Sequence, residues 1–188
     1  GIKIIGPIKG NLACGETGIG KMENIKIIKN KIKNFFILKK KLKGKKILIT
    51  AGSTIEPIDP IRYISNFSSG KQGYEIANCA YTYGAETILI TGPTNIEPPE
   101  VNKIIKVQSA EQMFNESMKI CKKYKPIDVA FLAAAVSDWK ISKSNKKYKK
   151  NENIFKQIKF KENKDILHMI SNLKKNRPKI VCGFSIFS

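Results

Sequence analysis

Hydrophobic and polar positions along this chain switch between two periods. Short apolar runs of strand length fall at residues 47–50, 87–91, 101–107, 127–135 and 179–183. Between them, apolar residues recur every three or four positions, which predicts helices over 70–83, 109–123 and 165–175. In the first of these, Ile76, Ala77, Ala80 and Tyr81 supply the apolar side. Gly84 is placed to close it, because the residue after a helix often takes the left-handed backbone that glycine tolerates. Ser109, with Gln112 three residues on, has the form of a capping box. The run 127–135, IDVAFLAAA, is almost wholly apolar and reads as a strand covered on both faces. A further short strand is expected around 154–160. This alternation predicts an α/β fold: a three-layer Rossmann-like domain with a mostly parallel sheet.

The amino-terminal stretch reads differently. Residues 2–5 form a brief β-prone run ending at Gly6-Pro7, and Gly10, Gly15, Gly18 and Gly20 follow, a loop able to wrap closely around a ligand. A helix is expected over 23–36, with Ile25, Ile28, Ile32, Phe35 and Phe36 on one face. The charged stretch 39–46 reads as linker. The expected organisation is therefore an appendage at 1–30, a basic connection at 31–44 and a main domain at 45–188.

Composition narrows the function classes. With 188 residues the chain can bury one full core, and 41% hydrophobic content argues against general disorder. No run is long enough to span a bilayer and the first residues lack the pattern of a signal peptide, so a cytoplasmic protein with no membrane partner is expected. The formal charge of +20 would point to nucleic acid, but the basic residues are almost all Lys, with Arg only at 62 and 177. Base-edge readout favours the bidentate fork of Arg, and no zinc finger, stacking motif or helix-turn-helix accompanies the charge. A coding bias toward Lys, Asn and Ile explains the excess, so no specific nucleic-acid partner is expected. Cys14, Cys79, Cys121 and Cys182 are too scattered for a C-x-x-C pair. The last three read as small buried hydrophobes, whereas Cys14 sits in the glycine-rich loop.

Candidate chemistry gathers between residues 51 and 73. Gly52 follows the first main-domain strand, where a missing side chain lets backbone N–H groups approach an anion. Ser68, Ser69 and Gly70 directly precede a helix, whose amino end favours negative charge. Together they can hold a polyphosphate, although neither G-x-x-x-x-G-K-[ST] nor G-x-G-x-x-G is present, and Ser-Gly is also an ordinary helix start. Lys71 lies in the helix's first turn, against the dipole. Asn66 suits orienting a carboxylate or its activated carbonyl; an Asx turn is the plainer alternative. Glu56 and Asp59 flank Pro57 and serve either a metal or the loop itself, while Arg62 either clamps a phosphate or pairs with one of them. Asp138 stands just past the apolar strand, at the edge where ligands usually bind. Lys147, Lys149 and Lys150 fall in a Lys- and Asn-rich stretch, 140–153, expected to be a mobile loop. His168 has no neighbours in sequence that mark a triad or ligand set.

With those residues in view, the chain resembles the bifunctional phosphopantothenoylcysteine decarboxylase/phosphopantothenate-cysteine ligase family, mainly its ligase domain. The anchors are AGSTIEPIDPIRYISNFSSGKQG at 51–73, AAAVSDW at 133–139, KYKK at 147–150, ENKDIL at 162–167 and GF at 183–184. The segment NLACGETGIGKM at 11–22 is similar to the end of the flavin-dependent decarboxylase domain, whose acting cysteine is matched by Cys14. The resemblance implies CTP-dependent joining of 4'-phosphopantothenate to L-cysteine through an acyl-cytidylate, with Mg²⁺, in a homodimer. FMN belongs to the rest of the decarboxylase domain, so decarboxylation by this chain alone is not expected. By the same resemblance Asn66 handles the acyl-cytidylate and Lys147 is needed to form it. Gly52, Ser53, Ser68, Ser69, Gly70 and Lys71 cradle phosphates, and Asp138, Lys147, Lys150 and Phe184 bind the nucleotide. The chain departs from the family pattern at Ala51-Gly52-Ser53 (usually Gly-Gly-Thr) and at Asn163-Lys164-Asp165 (usually Asn-Pro-Asp), the second removing a rigid turn. It also ends Gly183-Phe184-Ser185-Ile186-Phe187-Ser188 where the family continues Gly-Phe-Ala-Ala-Glu, so a truncated ligase domain is expected. The alternatives are a catalytically incomplete remnant and a noncatalytic α/β module that binds polyanions.

Overall fold

The computed structural model describes residues 3–12, 15–142, 144–149 and 158–184. Two compact units divide the chain after Lys41. The first contains a hairpin, β1 (Ile8–Asn11) and β2 (Thr17–Lys21), followed by helix α1 (Ile25–Lys41). Gly10 pairs with Gly18 and Asn11 with Thr17, and Gly15, at φ 86°, turns the chain between the strands. The glycine-rich stretch is thus a hairpin and not a wrapping loop, and the strand expected at 2–5 is absent from residues 3–7. Helix α1 runs five residues beyond its expected end at 36 and takes in the first part of the expected linker. The sequence there, Ile37-Leu38-Lys39-Lys40-Lys41, holds neither Gly nor Pro to stop a helix before Gly44. Cys14 lies outside the described residues.

The second unit runs β3 (Lys46–Ala51), a small hairpin β4 (Ile55–Pro57) and β5 (Tyr63–Ser65), helix α2 (Lys71–Thr82), β6 (Glu86–Thr91), β7 (Lys103–Lys106) and helix α3 (Ala110–Lys123). It continues with β8 (Val129–Leu132), β9 (Trp139–Ile141), β10 (Phe160–Glu162), helix α4 (Ile166–Ser171) and β11 (Ile180–Gly183). Five strands form one parallel sheet in the order β11-β8-β3-β6-β7. Successive residues of β3 feed opposite layers. Ile47, Ile49 and Ala51 pack with Leu89 under Tyr74, Ala77 and Ala80 of α2. Leu48 packs with Ile88, Ile90, Ala130 and Leu132 against Met113, Phe114 and Ile120 of α3 and Ile166 and Ile170 of α4. Covering both faces is what requires continuous apolar runs in β3 and β6. Helix α2 lies close on β3, since a Cβ on Gly73 would stand 2.5 Å from that of Ala51.

Strand β3 is central, with β6 on one side and β8 on the other. The chain therefore winds outward in both directions from β3, and the crevice at the carboxyl ends of β3 and β8 is the topological switch point where such sheets bind ligands.

The predicted ends hold within a few residues for most main-domain elements. Gly84, at φ 91°, closes α2, and Ser109 and Gln112 form the reciprocal capping box of α3. Strand β8 is shorter than its apolar run, and Val129 and Phe131 are only partly buried. Helix α4 stops at Ser171, because Asn172 leaves the helical conformation at φ −101° and ψ 12° and its amide group turns back to the His168 carbonyl. The sequence stretch expected as a mobile loop begins in β9, which pairs with β10; of the strand expected at 154–160, residues 154–157 lie outside the described residues, 158 and 159 are not in a strand, and Phe160 opens β10. Cys79 is exposed, contrary to expectation, because Ala77 and Ala80 take the inward face of α2. Cys121 is buried as expected and Cys182 half-buried. Among the described residues, no helix is long and apolar enough to cross a membrane.

Candidate active site

Past the sheet, β3 and β8 stay tied to one another. Ser53 bridges Ala135 in parallel register, the Ala135 N–H donates to the Gly52 carbonyl at 2.8 Å, and the Thr54 N–H donates to the Ala135 carbonyl at 3.3 Å. The Thr54 hydroxyl accepts from the Ser137 N–H at 2.9 Å. These bonds fix the turn after β3 beside residues 134–138. On the same crevice opens a cleft of about 650 Å³, lined among others by Thr50, Val136, Asp138, Asn163 and Phe184. Asp138 and Phe184, both named from the sequence, share this cleft and are both exposed.

The second predicted element meets the first. Gly52 and Gly70 both hold left-handed backbone, at φ 75° and 74°. A Cβ on Gly70 would lie 2.5 Å from the Thr94 methyl and 3.4 Å from the Gly52 Cα, so glycine is what lets the start of α2 approach the turn after β3. Ser68 and Ser69 bend the approach: their hydroxyls accept from the N–H groups of Gly70 and Lys71 at 3.2 and 3.3 Å. Helix α2 has no acidic residue in its first turn and no side-chain cap, which leaves its amino end suited to an anion. Lys71 is exposed there. Ser53 is buried, with its hydroxyl donating to the Pro93 carbonyl at 3.4 Å. Asn66 makes no Asx turn; its side-chain amide donates to the Val136 carbonyl at 2.9 Å, which ties the segment entering α2 to the wall of the Asp138 cleft.

Lys147 stands elsewhere. It lines an open cleft of about 500 Å³ with Ile61, Arg62, Tyr148 and Lys149, not the Asp138 cleft. The turn between β4 and β5 holds this loop. The Asp59 carboxylate receives the Arg62 guanidinium at 2.5 and 2.9 Å and the N–H groups of Ile61, Arg62 and Tyr148, while Arg62 also donates to the Tyr148 carbonyl. Ser144 adds a bond from its N–H to the Ile58 carbonyl. Lys150 lies outside the described residues.

Of the two readings open for Asp59 and Glu56, bracing holds for both. The Arg62 guanidinium, reinforced by the backbone donors, keeps the Asp59 carboxyl far below the usual carboxylate range. Because the folded-state value is depressed, the stabilisation it brings is complete above the unfolded value near about 4 and is lost as pH falls toward the folded value. Asp59→Asn is accordingly expected to flatten the acid limb of stability, read as urea midpoints between pH 6 and pH 3. Glu56 is buried at 4% exposure and caps α3 by accepting the Ala110 N–H at 2.8 Å. Burial raises its pKa, against the lowering effect of that bond and of the Lys140 charge.

Several site residues were not singled out from the sequence as candidates. Thr50, Thr54 and Ser137 sit within apolar or turn-like runs, and their hydroxyls or N–H groups join β3 and the turn after it to the segment that follows β8. Asn163 was noted only for the missing proline after it. Its side-chain amide donates to the Ser137 carbonyl at 2.9 Å and its N–H to the Asp138 carbonyl at 2.7 Å, and Asp165 still caps α4 through the His168 N–H. Those bonds order the turn that proline was expected to stiffen. His168 is exposed and remains outside the site.

A parallel sheet with a crevice at its switch point, and a glycine-lined helix start beside it, defines a Rossmann-like α/β domain. Residues 42–188 match the DNA/pantothenate metabolism flavoprotein C-terminal domain, and the chain belongs to that family. It is similar to the coenzyme A biosynthesis bifunctional protein CoaBC of Borreliella burgdorferi, at 45% identity over 97% of the chain and 46% of that protein. A protein named cysteine/cysteine sulfinic acid decarboxylase, from an unknown prokaryotic organism, is 38% identical over 99% of the chain and 52% of its own length. The chain thus spans about half the length of the curated relatives it matches. A solved structure of the C-terminal domain of CoaBC superposes with a TM-score of 0.61 at 36% identity, covering 74% of this chain and 63% of that one.

Proposed function

We propose that this domain joins 4'-phosphopantothenate to L-cysteine with cleavage of CTP, a ligase step of coenzyme A biosynthesis. The observation that supports this reading most is the meeting of Gly52 and Gly70 at the switch point of the sheet, with Gly52 bonded to Ala135 in the segment that leads to Asp138. In the proposed reaction a carboxylate oxygen of phosphopantothenate attacks the α-phosphorus of CTP. The bond to the β-phosphate breaks, and pyrophosphate leaves with an acyl-cytidylate remaining. The cysteine amine then attacks the acyl carbon, CMP departs with the C–O bonding pair, and the nitrogen loses a proton.

The residue roles are those that the family resemblance implies. Backbone N–H groups around Gly52 and the start of α2, with Ser53, Ser68, Ser69 and Lys71 near them, hold the phosphates at little reorganisation cost. Asp138 accepts from the nucleoside and Phe184 offers it an aromatic face. Asn66, anchored on Val136, orients the acyl group. Lys147 and Lys150 offset the charge that develops as the α-phosphorus is attacked. No three His, Cys, Asp or Glu side chains gather as a cation site among the described residues, and Glu56 and Asp59 are engaged elsewhere. That arrangement suits Mg²⁺ carried in on the phosphates, which it would polarise, rather than a protein cage.

The family resemblance further suggests a cytoplasmic homodimer, with residues 1–30 and Cys14 belonging to a decarboxylase domain that uses FMN. Pyrophosphate release from the 188-residue chain, measured with CTP, Mg²⁺ and 4'-phosphopantothenate, tests the ligase reading. Release that requires all three is expected. A folded chain that releases none, and binds RNA with an affinity falling steeply with salt, would leave the polyanion-binding module in its place.

A further inference from the structure

Thr94 is a half-buried side chain that the proposed reaction does not use, and it stands against both glycines of the phosphate site. Its methyl lies 2.9 Å from where a Cβ on Gly52 would be and 2.5 Å from where one on Gly70 would be, so it occupies the space that both missing side chains leave. The turn that carries Thr94 is held on two sides. Toward β3, the Gly92 N–H donates to the Ala51 carbonyl at 3.0 Å and the Ser53 hydroxyl to the Pro93 carbonyl at 3.4 Å. Toward α2, the buried Tyr74 hydroxyl lies 3.0 Å from the hydroxyl oxygens of both Thr91 and Thr94. The Thr94 hydroxyl also donates to the Ile96 carbonyl at 3.0 Å.

We propose that Thr94 is a positioning residue for the phosphate site: its methyl is a spacer that sets how far the turn after β3 stands from the start of α2, and so tunes nucleotide affinity. The inference rests on the reading of those two turns as the phosphate cradle. Glycine supplies the left-handed backbone that each turn adopts, at φ 75° and 74°, but no side chain to hold a fixed separation. The spacing is then set from a third element, the turn after β6. Threonine suits this role because its Cβ is branched, carrying an oxygen and a methyl at a fixed angle with few rotamers. With the oxygen tied to Tyr74 and Ile96, the rotamer is set and the methyl is directed onto the glycines. Backbone donors held at a set spacing grip an anion with little reorganisation.

Two substitutions separate the methyl from the hydroxyl. Thr94→Ser keeps the oxygen and removes the spacer, whereas Thr94→Val keeps a methyl in the gap and loses the bonds to Tyr74 and Ile96. CTP affinity is read by calorimetry with Mg²⁺ on the 188-residue chain, below the thermal transition of every variant. Thr94→Ser is expected to weaken CTP binding about tenfold, because a small misplacement of fixed groups is costly. Thr94→Val should bind close to parentally, although it leaves the Ile96 carbonyl without its donor. Parental affinity in Thr94→Ser, or a loss in Thr94→Val that equals or exceeds it, would overturn the proposal. Hydrogen exchange at 52–54 and 70–72 needs no ligand and gives the second reading: faster exchange in Thr94→Ser than in Thr94→Val is expected, and equal rates in the two refute the spacer. If the parent binds no CTP, the nucleotide reading fails while the exchange result still decides whether the Thr94 methyl holds the two turns in place.

Discussion

Gly52→Ala is expected to lower stability by about 2–5 kcal/mol and to abolish CTP binding. Two costs combine. At φ 75° any residue with a Cβ sits in left-handed backbone, which costs roughly 1–2 kcal/mol. The new Cβ would also stand 2.8 Å from the Gly92 carbonyl oxygen and 2.9 Å from the Thr94 methyl, and overpacking of that kind costs typically about 1–3 kcal/mol. The oxygen belongs to backbone and cannot rotate away, so relief must come from moving the turn itself, the part that stands beside α2. Gly44→Ala separates the two contributions. Gly44 has φ 79° but nothing within 4 Å of its missing Cβ, so it should show only the backbone cost and leave CTP binding intact. Urea denaturation and calorimetry on the two variants check both statements; equal losses in the two would show that crowding at Gly52 contributes nothing.

Lys147→Ala is expected to slow pyrophosphate release about 100-fold or more while changing CTP affinity far less. A fixed cation aimed at charge that develops only in the transition state typically contributes on the order of 10²–10³ in rate. In the structure Lys147 lines the cleft beside Ile61 and Arg62, so the proposed catalytic role requires the loop held by Asp59 and Arg62 to bring it toward the phosphates of a bound nucleotide. The split between rate and affinity is therefore the informative readout, taken from single-turnover release and from CTP titration. Lys122→Ala, on the exposed side of α3, should change neither. A Lys147→Ala variant with parental release rate would remove this residue from the reaction.

The parallel sheet was legible because its chemistry is local and strong. The apolar runs of β3 and β6 must be continuous, since both faces are covered, and Ser109 with Gln112 declares a helix start regardless of what lies around it. The hairpins β4–β5 and β9–β10 were not legible. Three-residue strands are too short to display a period, and they exist through pairings such as Glu56 with Ile64 and Lys140 with Lys161. The amino-terminal glycines misled for a related reason: conformational freedom is compatible with a loop or a hairpin, and cross-strand pairing made the choice.

For the candidate site, sequence named residues whose type carries the chemistry, among them Gly52, Gly70, Asn66 and Asp138. It could not show that Asn66 spans to Val136 or that Asn163 grips both Ser137 and Asp138, because those bonds join positions far apart in the chain. Nor could it decide the part played by Asp59 and Glu56. A carboxylate that braces a loop and one that receives a metal have the same sequence signature, and only their partners tell them apart.

Hydrogen exchange of the 188-residue chain with and without CTP and Mg²⁺ confronts the central claim most directly. Simultaneous added protection at 52–54, 68–72 and 135–139 is the predicted pattern, since one ligand would bridge all three segments. Protection confined to lysine-rich surface far from these segments, or to only one of the three, would contradict a shared nucleotide site at the crevice.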